Sequence, residues 1–192
     1  MVAGVVDRGG GHMIEPKMGS LFLDSGAFSL YYKHAYNPKT KAKDYSFYQG
    51  DEFRKYLRSY AGFIRKFGEH VDHYATVDVI YNPELSWDSY RYLKDEEGLD
   101  PVPVVHQGTS LKFVQRYLDD GCNFIGLGGF GGSEVSKSTY LRWVNNVFKM
   151  LCPSPSWKPV VRVHGFAMTG WKMLTSFPWW SVDSASWIKA SA

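Results

Sequence analysis

Cysteine is scarce in this chain of 192 residues: Cys122 and Cys152 are the only two. That excludes a disulfide-stapled scaffold and a CxxC metal site, and two reduced thiols are the expectation, with Cys122 packing at a helix-to-strand junction. Long apolar runs are missing as well. No stretch reaches membrane-spanning length, and the first twenty residues, rich in glycine and charge, lack the hydrophobic centre of a secretory signal, so a cytoplasmic protein is expected. Nor is there a large excess of one charge: Lys+Arg 22 against Asp+Glu 19 leaves +3, which permits a polyanionic partner without demanding one. Several catalytic signatures are absent too. The glycine run GLGGFGG (126–132) lacks the Walker lysine and does not match GxGxxG, no HxH or HExxH pair pre-forms a chelate, and no strand ends in a Schiff-base lysine.

Aromatics, in contrast, are plentiful. Seven Trp, thirteen Tyr and twelve Phe exceed what a core of this size needs, and exposed aromatic faces are platforms for bases or sugars. With 44% hydrophobic residues the chain can bury one core, so a single domain over 21–192 is expected, with 1–20 a poorly defined lead-in.

From residue 21 the pattern alternates. LFLDSG reads as a strand, a polar and aromatic insertion spans 31–50, and DEFRKYLRSYAGFIRKFG has helical spacing. HYATVDVI is the next strand, PELSWDSYRYLKDEEG a helix opened by proline, and PVPVVHQG a strand with proline only at its start. TSLKFVQRYLDDG is a helix with Thr109 or Ser110 as cap and Gly121 as its stop. NFIGLGGFGG runs from strand into glycine loop, SKSTYLRWVNNVFKML is helical, KPVVRVHGFA a strand, TGWKMLTSF a short helix and WWSVDSASW the last strand. Trp171, Trp179 and Trp180 are expected to pack helix against sheet.

Strict alternation implies parallel crossovers and an α/β sheet. The repeating polarity of the strand ends favours a TIM (β/α)8-type barrel, here an incomplete one with about six parallel strands, since eight units need about 250 residues. Such a barrel exposes edge strands, so the chain is expected to be a fragment, an open variant, or a subunit completed by something else, a homo-oligomer included. Each strand ends on polar or small residues: Asp24, Asp78, His106-Gln107, Gly128-Gly129, His164-Gly165 and Asp183. Any one of these is an ordinary loop entry. Six in register point to a shared catalytic rim.

The ordered set DSGAF (24–28), VD (77–78), HQG (106–108), IGLGG (125–129), HGFAM (164–168) and SVDSASW (181–187) resembles the tRNA-guanine transglycosylase superfamily over about residues 20–188. DSGAFS with VDSASW looks like its phage-type branch, similar to enzymes that put 7-deazaguanine bases into DNA; a phage-encoded protein acting in a host cytoplasm would fit. The resemblance implies that Asp183 is the nucleophile attacking C1′ of the target guanosine and that Asp24 handles the proton of the departing and incoming base. It implies that Asp78 and Gln107 read the purine edge, that the backbone of Leu127, Gly128 and Gly129 contacts its carbonyl side, that Phe28 stacks on it, and that His164, beside Gly165, covers the opposite face. Nucleic acid, DNA or tRNA, and a 7-deazaguanine base such as preQ0 are the implied partners. Ala27 replaces the second glycine of the family's usual DSGG, and no residues match the structural zinc ligands of the tRNA-acting relatives, so no cofactor is expected in this chain.

The chemistry makes the same demands. Base exchange at C1′ passes through an oxocarbenium-like state, so one carboxylate must lie beneath the sugar while another group shuttles a proton at the base. Asp183 should stay ionised, its pKa held low by Ser184, Ser186 or backbone N–H groups, whereas Asp24, emerging from LFL beside Phe28, should be partly desolvated. Two rivals use the same residues. A metal-dependent barrel hydrolase would recruit Asp24, Asp78, His106, His164 and Asp183 as ligands, and a nucleic-acid-binding relative would have lost the chemistry. Lys33, Lys39, Lys41 and Lys43, interleaved with tyrosines in the insertion, fit phosphate contacts or a solvated loop equally well.

Overall fold

The structure is a computed structural model that describes residues 21–129, 136–155, 157–168 and 170–183. The lead-in 1–20, the later part of the glycine run and Ser184 and Ser186 lie outside the described residues.

Among the described residues the fold is α/β and every strand pairs in parallel. Strands β1 (Phe22–Leu23) and β2 (His73–Tyr74) form one sheet, and β3 (Val104–His106), β4 (Phe124–Gly128), β5 (Arg162–Gly165) and β6 (Ser181–Val182) form a second in that order. A single parallel bridge, Ala75 to Val102, joins the two sheets. Among the described residues six α-helices lie between the strands: α1 (Ala27–Leu30), α2 (Asp51–Phe67), α3 (Pro83–Arg91), α4 (Leu111–Asp119), α5 (Lys137–Leu151) and α6 (Trp171–Ser176). Among the described residues β1 and β6 do not pair.

Helix boundaries follow local chemistry. Asn82 accepts from the Leu85 N–H at 3.1 Å with Pro83 at the first helical position, and Ser136 accepts from the Thr139 N–H at 3.2 Å. Of the two candidate caps for α4 it is Ser110 that accepts a backbone N–H, from Lys112 at 3.4 Å, and Gly121 closes the helix at φ 84°. Helix α2 buries Phe53, Leu57, Tyr60, Ala61 and Ile64 and carries Asp51 and Glu52 in its first turn against Arg65 and Lys66 in its last, matching the helix dipole.

The strands are shorter than the sequence pattern suggests, and one has an identifiable cause. HYATVDVI leaves the sheet after Ala75 because the Asp78 N–H donates to the Thr76 carbonyl at 2.8 Å. This tight three-residue turn breaks the alternation, so Val77 and Val79 face the helices while Asp78 faces His106. The insertion at 31–50, unassigned from pattern alone, contains a π-type turn (Tyr31–Ala35), a bridge between Tyr36 and Lys43, and a 3-10 turn (Ser46–Gln49).

Side-chain alternation separates two faces. Leu23 and Tyr74 pack under α2, and Val105, Ile125, Leu127 and Val163 pack under the later helices. On the other face Phe22, Ala75, Val102, Val104 and Phe124 form a small inner cluster with Phe166. That inner face is strongly curved. The Phe22 ring stacks on His164 at 4.6 Å although three strands lie between β1 and β5. In a flat sheet four strand spacings would separate them by roughly 19 Å.

Candidate active site

The inner face is layered from the strand starts upward. At the bottom the Arg162 guanidinium lies over Phe124 at 4.7 Å and over Trp180 at 5.2 Å, beside His73. Above it come Phe22, His164 and Phe166, with His164 and Phe166 at 4.4 Å. Gly126 belongs to this layer because a side chain there would meet Phe166 Cε2 at 2.5 Å. The top layer, at the carboxyl ends, holds Asp24, Asp78, His106, Gln107, Gly128, Gly129 and Asp183. Asp24 follows Phe22 by two residues and Asp183 follows Ser181, whose hydroxyl bonds His164 Nδ1 at 2.7 Å, so parity alone turns both carboxylates inward.

The two acids interact although they come from the first and last strands. Burial raises the carboxyl of Asp183 above its ordinary value and the charge of Asp24 raises it further, with only backbone donors such as Ala167 N–H opposing. Asp24 is also raised, by desolvation first and the charge of Asp78 second, although its side chain stays open at the rim. No ion pair neutralises either acid among the described residues. The expectation that Asp183 is held below its usual range is therefore corrected. Its backbone donor is present, but removal from water outweighs it.

A turn grips Asp183. The Ala167 N–H donates to Oδ1, the Met168 N–H donates to the Asp183 carbonyl at 2.8 Å, and the Asp183 N–H reaches the Gly165 carbonyl at 3.1 Å. Ala167 sits at φ 55°, a left-handed conformation that costs a non-glycine residue on the order of 1 kcal/mol. Gly165 is enclosed by Met168, Trp179 and Val182, all within 3.2 Å of a Cβ placed there.

The other predicted residues are placed as follows. Asp78 is buried and bonds Nε2 of His106, equally buried, whose Nδ1 has no partner. That nitrogen faces Gly128 and Gly129: it would lie 3.3 Å from a Cβ on Gly129, whose φ is 87°. Gln107 is half-buried and its N–H donates to the Gly128 carbonyl at 3.0 Å. The Leu127 side chain lies fully in the core behind the sheet, and its carbonyl accepts from Phe166 N–H at 2.9 Å. His164 lies one layer down, its imidazole pushed down to about 4 by burial and by His73, with Nε2 unpartnered. Phe28 is on the solvent side, 62% exposed and 4.6 Å from Tyr32. Of the three tryptophans expected to pack helix on sheet, only Trp179 does so, 4.9 Å from Phe148; Trp180 packs on Phe124 at the strand starts, and Trp171 is 79% exposed.

His106 stands at the rim in the sequence pattern, but the base-exchange resemblance gives it no role. An Asp and a His ending consecutive strands are its signal, but their bond needs the kink at Thr76. Tyr56 and Tyr60 carry no such signal. Their hydroxyls donate to the carbonyls of Ser25 at 2.8 Å and Ala75 at 2.7 Å, bracing the residue after Asp24 and the end of the neighbouring strand β2. A small hollow between β3 and the helices α3 and α4 touches the rim only through Tyr81 and His106. No group of three or more His, Cys, Asp or Glu side chains is arranged to hold a metal ion among the described residues, and no described helix is long and apolar enough to cross a membrane.

Neither a protein-family model, nor a curated protein, nor a solved structure matches the chain.

Proposed function

We propose that the chain is a base-exchange glycosyltransferase of the tRNA-guanine transglycosylase type, built on an incomplete (β/α)8 barrel, that replaces guanine in DNA or tRNA by a 7-deazaguanine such as preQ0. One observation carries the reading: two carboxylates from the first and last strands, neither in an ion pair among the described residues, share one rim where burial raises the proton affinity of both and the charge of Asp24 raises that of Asp183 further. That couple suits two steps at one carbon.

In the first step an oxygen of Asp183 bonds to C1′ as the C1′–N9 bond breaks, and the departing guanine takes the proton of Asp24. In the second, the incoming base loses its ring N–H proton to Asp24, its nitrogen bonds to C1′, and the ester oxygen of Asp183 is released. A desolvated carboxylate gains most when positive charge develops at the sugar, so the raised Asp183 is compatible with the nucleophile's role. Ala167 N–H holds one oxygen and leaves the other for attack. Asp24, raised and open at the rim, is suited to hold a proton between the two steps. Gln107, the Asp78–His106 pair and the Gly128–Gly129 backbone supply hydrogen-bonding groups for the purine edge.

The test is incubation of DNA and tRNA with a labelled 7-deazaguanine. The wild-type protein is expected to incorporate label into one polymer, and Asp183→Ala to incorporate none and trap no covalent adduct. Absence of incorporation into both polymers by a folded protein overturns the reading.

A further inference from the structure

The net charge of the molecule is concentrated in one place. Residues 31–50 contain Lys33, Lys39, Lys41 and Lys43 against Asp44 alone, an excess of three that equals the formal +3 of the whole chain. The remainder is therefore balanced. All four lysines are exposed, and the loop that carries them is ordered by its own bonds: Asn37 N–H to the Ala42 carbonyl at 3.0 Å, Lys41 N–H to the Asn37 carbonyl at 2.8 Å, and Lys39 N–H to the Asn37 side chain at 3.0 Å. Such a loop loses little entropy when an anion docks.

Aromatic faces adjoin it. Phe28 and Tyr32 form an exposed pair at 62% and 46%, and Lys43 lies 4.4 Å above the ring of Tyr81, which is 36% exposed and 6.2 Å from His106. Burial does not explain them, since apolar rings left in water gain nothing from folding. The ridge begins at the candidate site, four residues after Asp24 and three after Asp78.

We infer that segment 31–50, with Phe28 and Tyr81, is a docking shelf for a single strand of nucleic acid, on which the aromatic rings stack the unpaired bases beside the target nucleotide and the four lysines take their phosphates. A single strand is favoured over a duplex because ring faces bind bases only when these are unstacked. A target base must also leave the helix before its C1′ is reached. This rests on the base-exchange reading for what lies next to the shelf, but binding is measured separately from exchange.

Fluorescence anisotropy with labelled single-stranded DNA and RNA oligonucleotides and the matching duplex, between 50 and 200 mM salt, tests the shelf. The single strand is expected to bind more tightly than the duplex. The quadruple variant K33Q/K39Q/K41Q/K43Q should lose about tenfold or more at low salt, with the log–log salt slope reduced by up to about 2.8, roughly 0.7 for each phosphate contact. Tyr32→Ala should lose from about fivefold to about a hundredfold with the slope unchanged. The control K55Q/K66Q/K112Q/K149Q, which removes the same charge from exposed helix positions, should stay within about twofold, and melting curves confirm that all variants fold. Equal losses in both quadruple variants, no loss in the first, preference for duplex, or no binding at all overturns the shelf. Shelf-dependent binding without incorporation of labelled base leaves the shelf standing and overturns the exchange chemistry instead. The polymer arm that binds and incorporates identifies the substrate.

Discussion

The two ends of the strands treat aspartate in opposite ways. At the amino-terminal end, just before β4, Asp120 receives Lys94 Nζ at 2.5 Å, Tyr90 Oη at 2.8 Å and the Arg91 guanidinium. Burial alone would raise its carboxyl, but the bonds from Lys94 and Tyr90 and the charges of Lys94 and Arg91 outweigh it, and Asp120 sits below its ordinary value. At the carboxyl end Asp24 and Asp183 are raised, and the unpartnered buried polar atoms include Ser25 Oγ, Thr76 Oγ1, His106 Nδ1 and His164 Nε2, all at or beneath the rim. Buried polar groups are normally satisfied. One end is arranged for stability, and the other keeps unsatisfied groups that a ligand could satisfy.

The sharpest way to break this contrast is Asp183→Asn, which preserves shape and an acceptor for Ala167. Base exchange should fall by on the order of 10³-fold or more, while the midpoint of thermal unfolding at pH 7 should hold or rise, because a desolvated charge has gone. The same loss of activity with a large drop in melting temperature would return Asp183 to a structural role.

Next in size is the acid response of His164. In the unfolded chain its imidazole takes a proton near 6.5, in the folded chain near 4, so its contribution is complete above pH 6.5 and is lost as pH falls toward 4, by about 3 kcal/mol. Denaturant unfolding across that range should show the slope in the wild type and lose most of it in His164→Asn.

Asp120→Ala should cost about 2 kcal/mol of stability, as expected for loss of charged hydrogen bonds, and leave exchange activity within about twofold. Activity lost in step with the rim variants would erase the distinction between the ends.

The smallest effect carries a sign. Asp24→Asn should raise the melting temperature slightly at pH 7, and the gain should vanish below about pH 3.8, where the carboxyl is protonated in both the folded and the unfolded chain. A loss of stability at neutral pH would show that the Asp24 charge is stabilised rather than strained.

Part of this architecture is legible in the order of the amino acids. A cap at Thr109 or Ser110, Gly121 as a stop and the apolar stripe of α2 depend on neighbours within four residues, so local pattern suffices, although only the structure chooses Ser110. The strand ends are also readable, because parity within a strand is local. The end of β2 is not, since the turn at Thr76–Asp78 is a backbone choice that leaves no mark in the apolar pattern. For the same reason the Asp78–His106 bond stays hidden. Trp171 reads as a residue that packs helix on sheet, and only the packing shows that it is exposed.

By itself the sequence determined the α/β class, the parallel order, the residues at five of the six strand ends and the placement of net charge in one insertion, all properties of short segments. Tertiary structure decided how strongly the strands curl and therefore that Asp24 and Asp183, far apart along the chain, share one desolvated rim. Proton affinity depends on the distance to charges and water in three dimensions, and no spacing in a linear chain contains it.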